Sequence, residues 1–144
     1  MKRPVILMVT TAMFVCFLAS CGIAYNAKRS QMLKTATEAD YGPPPPTNHQ
    51  DIEMQMIRAS LKDPDSAKFE FGSVTRDVIQ SGFASPTPIL VWRTYVRVNA
   101  KNSYGGYTGF QPHHFAWQNG RVVAIAFPLV TASGVSDGYW QYLK

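Results

Sequence analysis

PILVWRTYVRVNA, residues 88–100, decides the fold. From Ile89 to Val98 it alternates. Leu90, Trp92, Thr94, Val96 and Val98 fall on one side, and Val91, Arg93, Tyr95 and Arg97 on the other. Successive side chains of a strand point to opposite faces. The pattern therefore predicts a β-strand with one mostly apolar face and one face that carries arginines. Such a strand needs partners on its edges and an apolar cover for its first face.

The flanking sequence supplies partners. FQPHHFAWQNGRVVAIAF, residues 110–127, reads as a hairpin. Phe115 and Trp117 alternate on its first arm, Asn119-Gly120 suits the positive φ angles of a type I′ turn, and residues 121–127 form the second arm. AKFEFGSV, residues 67–74, places Phe69 and Phe71 on one side of a shorter strand, and residues 76–81 offer another. SDGYWQYLK, residues 136–144, fits either a short helix or an edge segment.

The cover comes from TNHQDIEMQMIRASLKDPDS, residues 47–66, where the apolar period becomes helical. Thr47 or Asn48 can cap the start, and Asp51 and Glu53 suit the positive N-terminal end. Ile52, Met56 and Ala59 share a face that Ile57 and Leu61 widen, and Pro64 stops the helix. The expected architecture is an α+β domain over residues 49–144. In it, one N-terminal helix packs on a small antiparallel sheet of about four strands.

Ahead of the domain, residues 22–48 show no strong hydrophobic periodicity and end in YGPPPPT. Pro43 to Pro46 favour polyproline II, a stiff extended spacer. Residues 21–48 are therefore expected to be a tether; a proline-motif ligand for a partner is the rival reading.

The first residues look like an export signal. Lys2 and Arg3 precede the uncharged run PVILMVTTAMFVCFL, and the small residues Ala19 and Ser20 follow it. Leu18-Ala19-Ser20-Cys21 resembles the lipobox of bacterial lipoproteins. That resemblance implies cleavage of a signal peptide over residues 1–20 and a covalent lipid on Cys21, with no other cofactor. It also implies a membrane partner reached through the lipid anchor. In that family an Asp after the Cys favours inner-membrane retention. Gly22 stands there instead, which implies an outer-membrane, periplasm-facing location. The alternative is an uncleaved single-pass inner-membrane helix, because no charge falls between Pro4 and Ala27.

Composition excludes several classes. The net charge is +5, but no run of Lys and Arg exceeds two residues, so the clustered basic stripe of a nucleic-acid binder is missing. Both cysteines, Cys16 and Cys21, lie in the leader, which leaves the domain without a disulfide framework or a Cys-based metal site. His113 and His114 are adjacent and point to opposite faces of a strand, and His49 is remote, so no metal site is expected. No catalytic residue is assigned, because no Ser-His-Asp or similar set has a motif around it. The carboxylates gather around the helix, where capping and solvation account for them.

VNAKNSYGGYTG, residues 98–109, is the most distinctive stretch of the domain. Gly105, Gly106 and Gly109 open backbone angles closed to other residues. The order is not that of a phosphate-binding loop. Together, LKDPDSAKFEF and VNAKNSYGGYTGFQP are similar to small exported bacterial proteins of unassigned biochemical role. This resemblance implies a shared small domain over about residues 50–127 and brings no activity. Two readings of the loop stand. In one it is a shaped connection in which Asn99 and Asn102 bond local backbone and Tyr104 or Tyr107 closes the core. In the other, Asn99, Lys101, Asn102, Tyr104, Gly105, Gly106 and Tyr107 form a recognition surface, with tyrosines supplying rigid contact area. The expected function is binding or assembly, as an accessory of an envelope or secretion complex, with an envelope protein or peptidoglycan as partner and no nucleic acid. The rivals are an enzyme or enzyme inhibitor acting on envelope material through the loop and His113/His114, and an inner-membrane protein carrying the same domain.

Overall fold

A computed structural model describes residues 25–80, 87–131 and 134–143 of the chain. The leader, with Cys16, Cys21 and Gly22, lies outside the described residues, as does residue 81 of the second expected strand.

The domain is α+β. Six strands form one antiparallel sheet: β1 Lys68–Phe71, β2 Thr75–Gln80, β3 Pro88–Asn99, β4 Gln111–Gln118, β5 Arg121–Thr131 and β6 Gly134–Tyr142. The expected count of about four is corrected on two grounds. The tail is the edge strand β6, and the segment before β3 forms two strands. β3 is the hub. It pairs with β4 on one edge, and with β1 and β2 in succession on the other. Phe71 opposes Val96 while Thr75 opposes Arg93. Gly72, Ser73 and Val74 thus face only Thr94 and Tyr95, and the extra residue is a bulge that bends the β1–β2 ribbon. Gly72 sits so close there that an added Cβ would lie 3.0 Å from Cδ1 of Tyr95.

The β4–β5 hairpin turns at Asn119 and Gly120, with φ values of 51° and 73° as a type I′ turn requires. β5 continues through Pro128 to pair with β6. At the far end of β6, the Tyr142 hydroxyl donates to the Gln80 carbonyl of β2. The two ends of the sheet therefore approach each other, as the coiling of a twisted sheet allows.

Two α-helices accompany the sheet where one was expected. The expected helix is α2, His49–Arg58, and it is not the first: α1 precedes it and includes residues 25–35. Tyr25, Arg29, Met32 and Ala36 are the half-buried positions there, spaced so that they share one helix face. Arg29 donates to the Val78 carbonyl (3.0 Å) and to Asp77 Oδ1 (2.5 Å). A 3-10 turn, Glu38–Tyr41, then delivers Tyr41 to the core, where its ring meets Trp92 with centroids 5.8 Å apart. Residues assigned to the tether thus carry an ordered helix and a buried aromatic. Their docking face is a single narrow stripe among polar residues, too sparse to register as periodicity.

α2 lies over the apolar face of the sheet. Ile57 is buried with Trp92, Val96, Val98, Phe115, Trp117 and Ile125, while Ile52, Met56 and Leu61 pack around them. Ala59 is exposed, and α2 ends at Arg58, before Pro64 is reached. Asn48 holds the cap position without a side-chain bond to the helix. A smaller cluster of Ile79, Val91, Ala116 and Ala124, with Trp140 against it, occupies the opposite face of the sheet.

Gly42 joins the 3-10 turn to the proline run. Its φ of 67° with ψ of −170° belongs to a region open essentially only to glycine, its carbonyl accepts the Trp92 indole N–H at 3.0 Å, and a Cβ would meet Asn119 Oδ1 at 2.7 Å. Gly42→Ala is expected to cost about 1–3 kcal/mol of stability, read as a lower urea midpoint at unchanged slope. An unchanged midpoint would show that this strap contributes nothing to the fold.

Candidate functional site

The 99–109 loop departs from the end of β3 and returns to β4. Lys101 and Tyr107 bridge as an antiparallel pair. Beyond them, Asn102 organises the tip. Its Oδ1 accepts the N–H of Tyr104 (2.9 Å) and of Gly106 (3.2 Å), and its main chain exchanges bonds with Gly105 and Gly106. Asn99 Oδ1 accepts the N–H of Gly109 (3.1 Å), and Thr108 donates to the Ala100 carbonyl. Gly105 and Gly109 hold φ values of 79° and 83°, which only glycine adopts without cost. Both asparagines thus bond local backbone, as one of the two sequence readings expects.

The tyrosines do not close the core. Tyr104 is 97% exposed and Tyr107 is 47% exposed. The loop projects beyond the sheet, and its aromatic groups face solvent. Two segments far apart in sequence meet at its base. The Lys101 N–H donates to Ser66 Oγ (3.0 Å), and Ser66 in turn donates to the Asp63 carbonyl (2.8 Å). The register of β1 sets Lys68 opposite Asn99. The Lys68 ammonium lies 4.9 Å, and that of Lys101 5.7 Å, from the centroid of the Tyr107 ring, within cation–π range. Both segments that carry the resemblance to small exported proteins therefore build one surface.

The expectation that capping and solvation account for the carboxylates around the helix is corrected for Glu53. Glu53 is fully buried beneath α2. Its Oε1 accepts the Thr94 hydroxyl at 2.5 Å and the Trp117 indole N–H at 3.1 Å, while Oε2 has no hydrogen-bond partner among the described residues. Burial pushes its carboxyl up, against the downward pull of Thr94, Trp117 and His49. Substrate has no route to a group so sealed, so its role is structural. The sequence held one signal for it: Thr94 is the lone hydroxyl in an otherwise apolar row. Asp77, also buried, receives Arg29 at one oxygen and Arg93 (3.0 Å) at the other. Arg93 also donates to His114 Nδ1 at 3.1 Å, and the His114 ring lies 4.9 Å from that of Tyr95. This cluster fastens α1 to the sheet.

The two histidines do face opposite ways. His113 packs edge-on against Phe127 in the α2-facing core, and burial lowers its pKa. Among the described residues no group of three or more His, Cys, Asp or Glu could hold a metal ion, and no helix is long and apolar enough to cross a membrane. Comparison with protein-family models, with curated proteins and with solved structures gives no match to this chain.

Proposed function

We propose that this chain is a lipid-anchored envelope protein whose small α+β domain binds a partner through the 99–109 loop. The observation that carries the reading is Tyr104. An almost fully exposed aromatic residue stands at the tip of a loop whose backbone is held by Asn99, Asn102 and Ser66. A tyrosine displayed on a braced backbone loses little entropy when it binds, which is how preorganised recognition loops gain affinity.

The anchor in this proposal is a lipid on Cys21, after removal of residues 1–20, on the periplasmic side of the outer membrane. α1 is described from residue 25 onward and is bound to the sheet through Arg29. Four residues span at most about 14 Å, so the domain is held close to the bilayer, and the chain just ahead of the proline run is tied to the sheet through Gly42 and Trp92. The partner class is an envelope protein.

Labelled palmitate is expected to enter the full chain and to be lost in Cys21→Ala; label retained in that variant removes the anchor from the proposal. A photo-crosslinking side chain at position 104, used in intact envelopes, is expected to give a discrete adduct that disappears when Asn102→Ala releases the tip. The same group at Arg121, on the β4–β5 turn, should give none. Adducts from position 121 but not from position 104 would overturn the loop as the recognition surface.

A further inference from the structure

We infer that Lys68, Lys101 and Tyr107 form a docking site for the carboxylates of an acidic, extended segment of a partner protein. This rests on the loop as the recognition surface and specifies what it recognises. The first observation is electrostatic. Four of the arginines have carboxylates: Arg97 pairs with Glu70 (2.9 Å), Arg76 with Glu38 (2.8 Å), and Arg29 and Arg93 share Asp77. Lys68 and Lys101 have no carboxylate partner among the described residues, yet the fold brings both ammonium groups to one tyrosine ring. Glu70, the acid nearest in sequence on β1, is engaged by Arg97. The ring attracts each ammonium only weakly and leaves its charge uncompensated. A carboxylate at either ammonium would add a charge-assisted hydrogen bond.

The second observation selects a peptide. β1 pairs with β3 alone and ends the sheet on that side. An extended chain laid along Lys68–Phe71 would find strand hydrogen-bonding groups on the outer side of β1, the mode in which a peptide adds to a sheet edge. Its acidic side chains would then pass the Lys68 ammonium. A nucleic acid would require a longer basic stripe than these two lysines provide.

The test uses the full chain in detergent and a fluorescent hexaglutamate peptide read by anisotropy, with hexaglutamine as the neutral comparison. Hexaglutamate is expected to bind, to bind less well as salt rises, and to lose roughly tenfold in affinity in the Lys68→Gln/Lys101→Gln double variant. Lys68→Arg/Lys101→Arg should restore most of the binding, and Arg121→Gln should leave it unchanged. Equal binding of hexaglutamine, or equal affinity in the double Gln variant, overturns the inference. Failure here is separable from failure of the loop reading. A persistent adduct from position 104 without hexaglutamate binding leaves the loop as the surface and removes its acidic ligand. Loss of both removes the two together.

Discussion

Trp117→Ala is expected to lower the stability of the domain by about 3–5 kcal/mol, the usual cost of truncating a buried aromatic to Ala. Trp117 is fully buried, lies opposite Trp92 on the neighbouring strand, and belongs to the cluster that joins α2 to the sheet. It also sets the edge of α2, where the His49 ring meets it edge-on with centroids 6.3 Å apart. Its indole N–H serves both Glu53 Oε1 and Thr94 Oγ1, each at 3.1 Å. Truncation therefore opens a void and removes one of the two groups that bond the buried carboxyl. Trp117→Phe separates these effects. It keeps most of the ring and loses the N–H, and is expected to cost only about 1–2 kcal/mol. Urea unfolding followed by far-ultraviolet circular dichroism measures both. A loss below about 1 kcal/mol in Trp117→Ala would mean that the α2-facing cluster is not the main core.

How much of this was legible in the sequence depended on where the physics was local. The alternation of residues 89–98 gave β3 with both faces correctly sorted, because strand period and burial coincide there. Asn119-Gly120 marked its turn for an equally local reason, since both residues need positive φ. The bend at Gly72 was not legible. Its extra residue becomes visible only against the register of β3. α1 is not legible because its polar anchors lie far along the chain: Arg29 finds Asp77 and the Val78 carbonyl. SDGYWQYLK has no strong period, which leaves it open between helix and edge segment in the sequence; it acquires strand form as β6 from its pairing with β5. In the loop, the sequence leaves the asparagines open between bonding local backbone and forming a recognition surface, and it gives no reason to include Lys68. Nothing in the sequence sets it beside Tyr107 until β1 is placed against β3.

Glu53 shows most clearly what a helical pattern hides. On α2 it occupies the stripe defined by Ile52, Met56 and Ile57, so a sequence reading that sorts by hydrophobicity discards it as an interruption. The structure makes it one of the most deeply buried residues of the core. Its removal is expected to be costly. Glu53→Ala leaves the Thr94 hydroxyl and the Trp117 N–H without their carboxyl acceptor and vacates space under α2, for a combined loss of about 2–4 kcal/mol. The intact residue also imposes a pH dependence. Burial raises the carboxyl in the folded state, whereas in the unfolded chain it returns to the ordinary carboxylate range. Its stabilising contribution is therefore complete below the unfolded value and is lost as pH rises through the folded one. His113 acts in the opposite sense. Its pKa is lowered by burial, so its contribution is complete above the ordinary histidine range and is lost as pH falls through the lowered value. Glu53→Gln retains an acceptor for Thr94 and Trp117 but cannot ionise. Its urea midpoint should lose the decline that the native chain shows with rising pH, and should keep the acid-side decline set by His113. If both proteins decline alike with rising pH, Glu53 is not the titrating group.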